Sequence, residues 1–170
     1  MPDDDCASLD GVLPWRQMPA FVRTAALPRR SVAPSTVRQR AERMLVALGR
    51  PEAELSILLC GDERIHELNR DYRGKDRPTD VLAFAMSEGE GGELAGEVLG
   101  DVVISLETAR RQALVRHVSI VDEVTMLLAH GLLHLLGFDH QTEAEASEME
   151  ALETRVLAMR GVADPYASPG

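Results

Sequence analysis

His130-Gly131-Leu132-Leu133-His134-Leu135-Leu136-Gly137-Phe138-Asp139-His140 is the stretch on which the reading of this chain turns. Residues four apart on a helix stand one turn apart on the same face, so His130 and His134 can aim ring nitrogens at one ion. Gly137 supplies the left-handed conformation that ends a helix and that a side chain resists. The chain can then turn back and present His140 as a third nitrogen. Three neutral imidazoles leave a fourth position open, which is how a catalytic zinc is held, not a structural one. A lone histidine in a core is usually just a hydrogen-bonded polar group. Two at helical spacing inside an apolar helix each need a partner or incur desolvation, and a third after the glycine favours ligation. One zinc-like ion per chain is the expected cofactor, although three imidazoles also accept nickel or copper. His66 and His117 sit in polar contexts and carry no such reading.

The same offsets of three histidines and a glycine occur in the metzincin proteases. Those enzymes place Glu directly after the first histidine as general base. Here that residue is Gly131, which cannot move a proton, so ordinary zinc proteolysis is disfavoured.

Outward from this segment, Ser119 caps the helix that should run to about Leu136, with Asp122 three residues on. A last helix should start at Thr142, with Glu145 completing a capping box and Met149, Leu152, Val156 and Met159 as its apolar stripe. Upstream, the pattern predicts a helix from Ser35 to Leu48 stopped by Gly49, and a strand over Leu55–Cys60. A second helix is capped by Asp62, with Ile65, Leu68 and Tyr72 on one face. A polar loop from Arg73 to Asp80 leads to a strand at Val81–Ala85. A Gly- and Glu-rich loop over 87–97 follows, then a strand at Val98–Ser105 and a helix from Leu106 to about Arg116. Pro14, Pro19, Pro28 and Pro34 interrupt any helix near the start, so residues 1–34 read as an irregular arm or lead-in, and 35–166 as a single metallohydrolase domain. The expected class is α+β, or mixed α/β: a small, mostly four-stranded sheet packed with about five helices, the metal site lying on a helix and the turn after it.

The length of 170 residues suits one domain, and 45% hydrophobic with 27% charged residues excludes a disordered chain. No secretory signal is visible in Met1-Pro2-Asp3-Asp4-Asp5, and the apolar stretch Val124–Phe138 is too short to span a membrane. Cys6 and Cys60 make no disulfide framework, and Cys60 ends an apolar run as a buried thiol would. These features point to a reducing, cytoplasmic setting. The net charge of −10 disfavours a nucleic-acid partner until its distribution is considered. From Arg16 to Arg77 there are 13 basic and 8 acidic residues; from Pro78 onward there are 5 and 16. A basic half can meet an anion while an acidic half faces elsewhere, and the asymmetry is equally consistent with two solvated faces.

Three segments together resemble the YbeY family of bacterial rRNA maturation factors, single-strand endoribonucleases. They are the histidine segment, Leu68 to Leu82, and Leu99-Gly100-Asp101-Val102-Val103-Ile104-Ser105; the ending Asp164-Pro165-Tyr166 agrees. The resemblance covers roughly residues 35–166. Ala83 and Ala85 stand where the family more often has Ser and Pro, and Phe138 where Tyr is common. The family usually opens with a strand, and residues 1–34 show no convincing one. The resemblance implies processing of the small-subunit rRNA 3′ end and ribosome quality control, zinc at the three histidines, and a functional arginine at Arg73. It also implies single-stranded rRNA and the small ribosomal subunit, or its assembly proteins, as partners.

In chemical terms, Arg73 offers a planar fork for phosphate oxygens, and Lys75 and Arg77 can hold adjacent phosphates. As a sequence alone, this loop is also consistent with a solvated turn. Asp139 can hydrogen-bond a ligand histidine and fix its tautomer, or cap the helix after it; both stay open. No general base is identifiable. Aromatic residues are few, so backbone contacts should outweigh base stacking. Beside a metal-dependent endoribonuclease stand two alternatives: a zinc hydrolase such as a protease, and a non-catalytic assembly factor whose metal stabilises the fold.

Overall fold

Alternation along the two central strands decides where the helices go. In the computed structural model the described residues are 20–24, 32–86 and 98–138, with scattered helical positions between 143 and 154. Their elements run β1 (Ala20–Thr24), α1 (Pro34–Ala47), β2 (Glu54–Cys60), α2 (Asp62–Arg73), β3 (Val81–Ala85), β4 (Val98–Ser105), α3 (Leu106–Arg116) and α4 (Ile120–Leu135). The sheet order is β1-β2-β4-β3, with β1, β2 and β4 parallel and β3 antiparallel at the edge. The fold is mixed α+β.

Successive side chains on a strand point to opposite faces. Leu55, Ile57 and Leu59 of β2 and Val102 and Ile104 of β4 join the main core with α1, α3 and α4. Leu58, Cys60 and Val103 point the other way and pack with Ile65 and Leu68 of α2 and Leu82 of β3. Both strands are therefore covered on both faces, as parallel strands usually are. Leu128 and Leu132 of α4 are fully buried, and each burial contributes about 2 kcal/mol. No single helix among the described residues is long and apolar enough to cross a membrane.

Three expectations are corrected. Residues 1–34 are not wholly irregular, because Ala20-Phe21-Val22-Arg23-Thr24 pairs in parallel with Leu55–Leu59. Proline excludes a helix there, but Pro19 and Pro28 lie outside the five-residue strand and leave it intact. The sheet therefore reaches back to Ala20. Tyr72 does not join the buried stripe of α2: it is 52% exposed, and Asn69 takes the buried position at 3%. Four helices, not five, have bounds among the described residues; the stripe expected for the last one, Met149, Leu152, Val156 and Met159, lies outside them.

Candidate functional site

Helix α4 is fixed at both ends. Ser119 Oγ accepts from the Asp122 amide at 3.1 Å, the expected cap. At the other end Gly137 has φ 96°, its amide donates to the His134 carbonyl at 3.0 Å, and the Phe138 amide reaches the Leu133 carbonyl at 3.1 Å. This is a Schellman ending, and it reverses the chain one turn after His134. Asp139 and His140 follow and lie outside the described residues. Among the described residues no group of three His, Cys, Asp or Glu side chains is gathered for an ion.

The motif's two described histidines, His130 and His134, are half-buried neighbours. Their Nε2 atoms are 3.0 Å apart, and the rings stand edge to face at 72° with centroids 4.6 Å apart. Nitrogens bound to one tetrahedral ion at about 2.1 Å each are separated by about 3.4 Å. The pair lies within a few tenths of an ångström of the spacing that two donors take on one ion.

Gly131 has a packing reason. A Cβ there would lie 2.8 Å from Val102 Cγ1 and 3.3 Å from Val81 Cγ2. Helix α4 crosses the sheet so closely that the general base of a metzincin has no room at this position.

The cations come from the other side of the sequence. Arg73 is the last residue of α2, and Gly74, at φ 69°, ends the helix immediately after it. The Arg73 guanidinium donates to the Ala83 carbonyl, and its central carbon lies 5.2 Å from the Phe84 ring centroid. Tyr72 packs edge-on against the same ring at 5.5 Å. A cleft of about 490 Å³ is lined by Arg73, Lys75 and Arg77 together with His130 and His134. More than fifty residues separate the two groups in sequence, and the fold brings them to one cavity.

Two lining residues carried no signal strong enough to single them out. Asn69 donates from Nδ2 to the Arg77 carbonyl at 2.8 Å. Asp80 accepts from the Val81 amide at 2.7 Å and from Gln112 Nε2 at 3.1 Å, which commits its carboxylate to holding the start of β3. Behind the cleft, Glu123 is 1% exposed and pairs with Arg116 at 3.1 Å. Burial pushes its carboxyl above the usual value, and the neighbouring Asp80 adds to this against the pull of Arg116.

Two helix-borne histidines thus open on one cleft with Arg73, Lys75 and Arg77 in a mixed α/β fold. The family model described as "Endoribonuclease YbeY" matches residues 28–161. Proteins named endoribonuclease YbeY include one from Geobacter sulfurreducens, 47% identical over 133 residues, covering 77% of this chain and 89% of that one. Another, from Anaeromyxobacter sp., is 50% identical over 135 residues, covering 79% of this chain and 69% of that one. A solution structure of a Thermotoga maritima protein superposes with TM-score 0.52 at 22% identity, over 88% of this chain and 98% of that one, a likeness of fold alone. The chain belongs to the endoribonuclease YbeY family.

Proposed function

We propose that this family member is a metal-dependent endoribonuclease that cuts single-stranded RNA in rRNA maturation, at the 3′ end of the small-subunit RNA, and serves ribosome quality control. Its setting is the cytoplasm, and its partners are rRNA and the small ribosomal subunit or its assembly proteins. The observation that carries this reading is the shared cleft of His130 and His134 with Arg73, Lys75 and Arg77.

His130, His134 and His140 would hold one zinc ion, and the 3.0 Å spacing of the first two supports that assignment. When bound, such an ion supplies Lewis acidity toward a phosphoryl oxygen and toward water. Arg73 is the catalytic cation: its fork takes two phosphate oxygens and stabilises charge that grows during cleavage. Lys75 and Arg77 bind neighbouring phosphates and keep the strand in register. Asp139 orients a ligand histidine by accepting its other ring proton. Gly131 leaves no side chain to act as a proteolytic base, which supports a phosphodiester over a peptide substrate.

The test is cleavage of labelled RNA oligomers of one sequence, single-stranded and duplex, by zinc-loaded protein, with casein as a control. Cuts confined to single-stranded RNA are expected. Casein cleavage, or intact RNA throughout, contradicts the proposal.

A further inference from the structure

Residues 74–80 contain no helix or strand, yet Lys75 and Arg77 both line the cleft from this segment. Two cations two residues apart repel each other, and a loose loop must be ordered at each binding event. Something has to hold it.

We propose that Asn69 is a positioning residue that holds this loop in the shape that presents Lys75 and Arg77 to RNA, a proposal that rests on the RNA-cleaving reading above. Asn69 is 3% exposed on α2 and grips the loop twice. Its Nδ2 donates to the Arg77 carbonyl at 2.8 Å, and its own main-chain carbonyl accepts the Lys75 amide at 3.1 Å. Between these points the Arg77 amide closes onto the Lys75 carbonyl at 2.9 Å. The backbones of both cations are thereby tied to one buried side chain and its peptide. On the outer side, Asp76, which lies between them, pairs with His66 Nε2 at 2.7 Å. The side-chain grip needs an N–H donor, so an apolar residue cannot supply it and Asp lacks the proton. Arg73 is not held this way: it sits on α2 itself and is fixed by Ala83 and Phe84. Asn69 therefore acts on how tightly RNA is held, and Arg73 on how fast it is cut.

The experiment measures single-stranded RNA binding by fluorescence anisotropy, with kcat, KM and zinc content, for wild type, Asn69→Ala, Asn69→Asp and His66→Ala. Each is made alone and in a Lys75→Ala/Arg77→Ala background. Both Asn69 variants are expected to bind RNA about fivefold more weakly, with KM raised to match and kcat and zinc unchanged. In the background without the two cations this effect should vanish. A fall in kcat at constant KM, or a full effect in that background, overturns the proposal, because a general loss of structure would produce it. If Asn69→Ala and Asn69→Asp fail to fold, the exposed His66→Ala carries the test: about twofold weaker binding is expected, absent without the two cations. Unchanged binding by His66→Ala then overturns it. Wild type that binds RNA without cutting it removes the cleavage claim but leaves the Asn69 comparison readable in binding. Wild type that does not bind RNA overturns both.

Discussion

Arg73 donates to the main-chain carbonyl of Ala83, so an exposed guanidinium at the end of α2 is fixed against the edge strand of the sheet. The ring of Phe84 beneath it adds a cation–π contact. One N–H is committed to the protein, and the remaining donors of the fork are oriented by it. A lysine keeps the charge but offers neither a rigid bidentate edge to phosphate nor a plane to stack on the ring. Arg73→Lys is therefore expected to lower kcat by about a hundredfold with zinc content unchanged, read by steady-state kinetics and metal analysis.

Gly131 stands where the metzincin proteases, with the same histidine spacing, carry their base. Restoring glutamate does not create a protease here. The new Cβ meets the buried Val102 at 2.8 Å, and neither valine it strikes is a flexible chain end. Gly131→Glu should destabilise the fold by about 1–3 kcal/mol and gain no activity on casein. A shift in the urea midpoint together with a casein assay checks both halves.

Asp62 should contribute to the acid sensitivity of the fold. Burial pushes its carboxyl up, but hydrogen bonds from Ser105, Thr108 and Arg111, with the charge of Arg111, together hold it below the ordinary 3.8. The two hydroxyl contacts are 2.6 Å each and tie the start of α2 to α3. A lowered folded value means stabilisation that is complete above the unfolded value and lost as pH falls through the folded one. Wild type should therefore lose stability on acidification below about pH 4, and Asp62→Asn should be less stable at neutral pH with a flatter acid limb. Urea unfolding from pH 2 to pH 7 measures this; parallel curves for the two proteins contradict it.

Glu123 works in the opposite sense. Burial outweighs its ion pair with Arg116, so its folded value lies above the ordinary 4.5. Stability from such a group is present below the unfolded value and is lost as pH rises through the folded one. The charged carboxylate thus weighs on the fold at neutral pH. Glu123→Gln should gain stability relative to wild type as pH rises above about 4.5, measured by urea midpoints from acid to neutral pH. A gap that narrows with rising pH contradicts the assignment.

Much of this arrangement was legible in the sequence, for local reasons. The bounds of β3 and β4, the Ser119 cap and the turn at Gly137 each follow from short-range rules of period, capping and backbone freedom. The strand Ala20–Thr24 was not legible, because its stability comes from parallel pairing with β2 more than thirty residues away. Asn69 was hidden for a different reason. A polar residue on a charged helix reads as solvated, and only the fold shows that the loop after the helix folds back over it. The resemblance implies a role for Arg73 alone; that Lys75 and Arg77 gather beside the histidines follows from the fold and from no spacing rule. In sequence Gly131 shows only the missing base, and its tight packing against Val102 is a property of the fold.

The most direct test takes zinc content and single-stranded RNA cleavage on the same preparations of wild type, His130→Ala and Arg73→Glu. The account predicts about one zinc per chain with cleavage in wild type, loss of both in His130→Ala, and loss of cleavage alone in Arg73→Glu. Wild type that carries zinc but never cuts RNA, while both variants still support rRNA maturation in cells, would contradict it and leave an assembly factor in place of an enzyme.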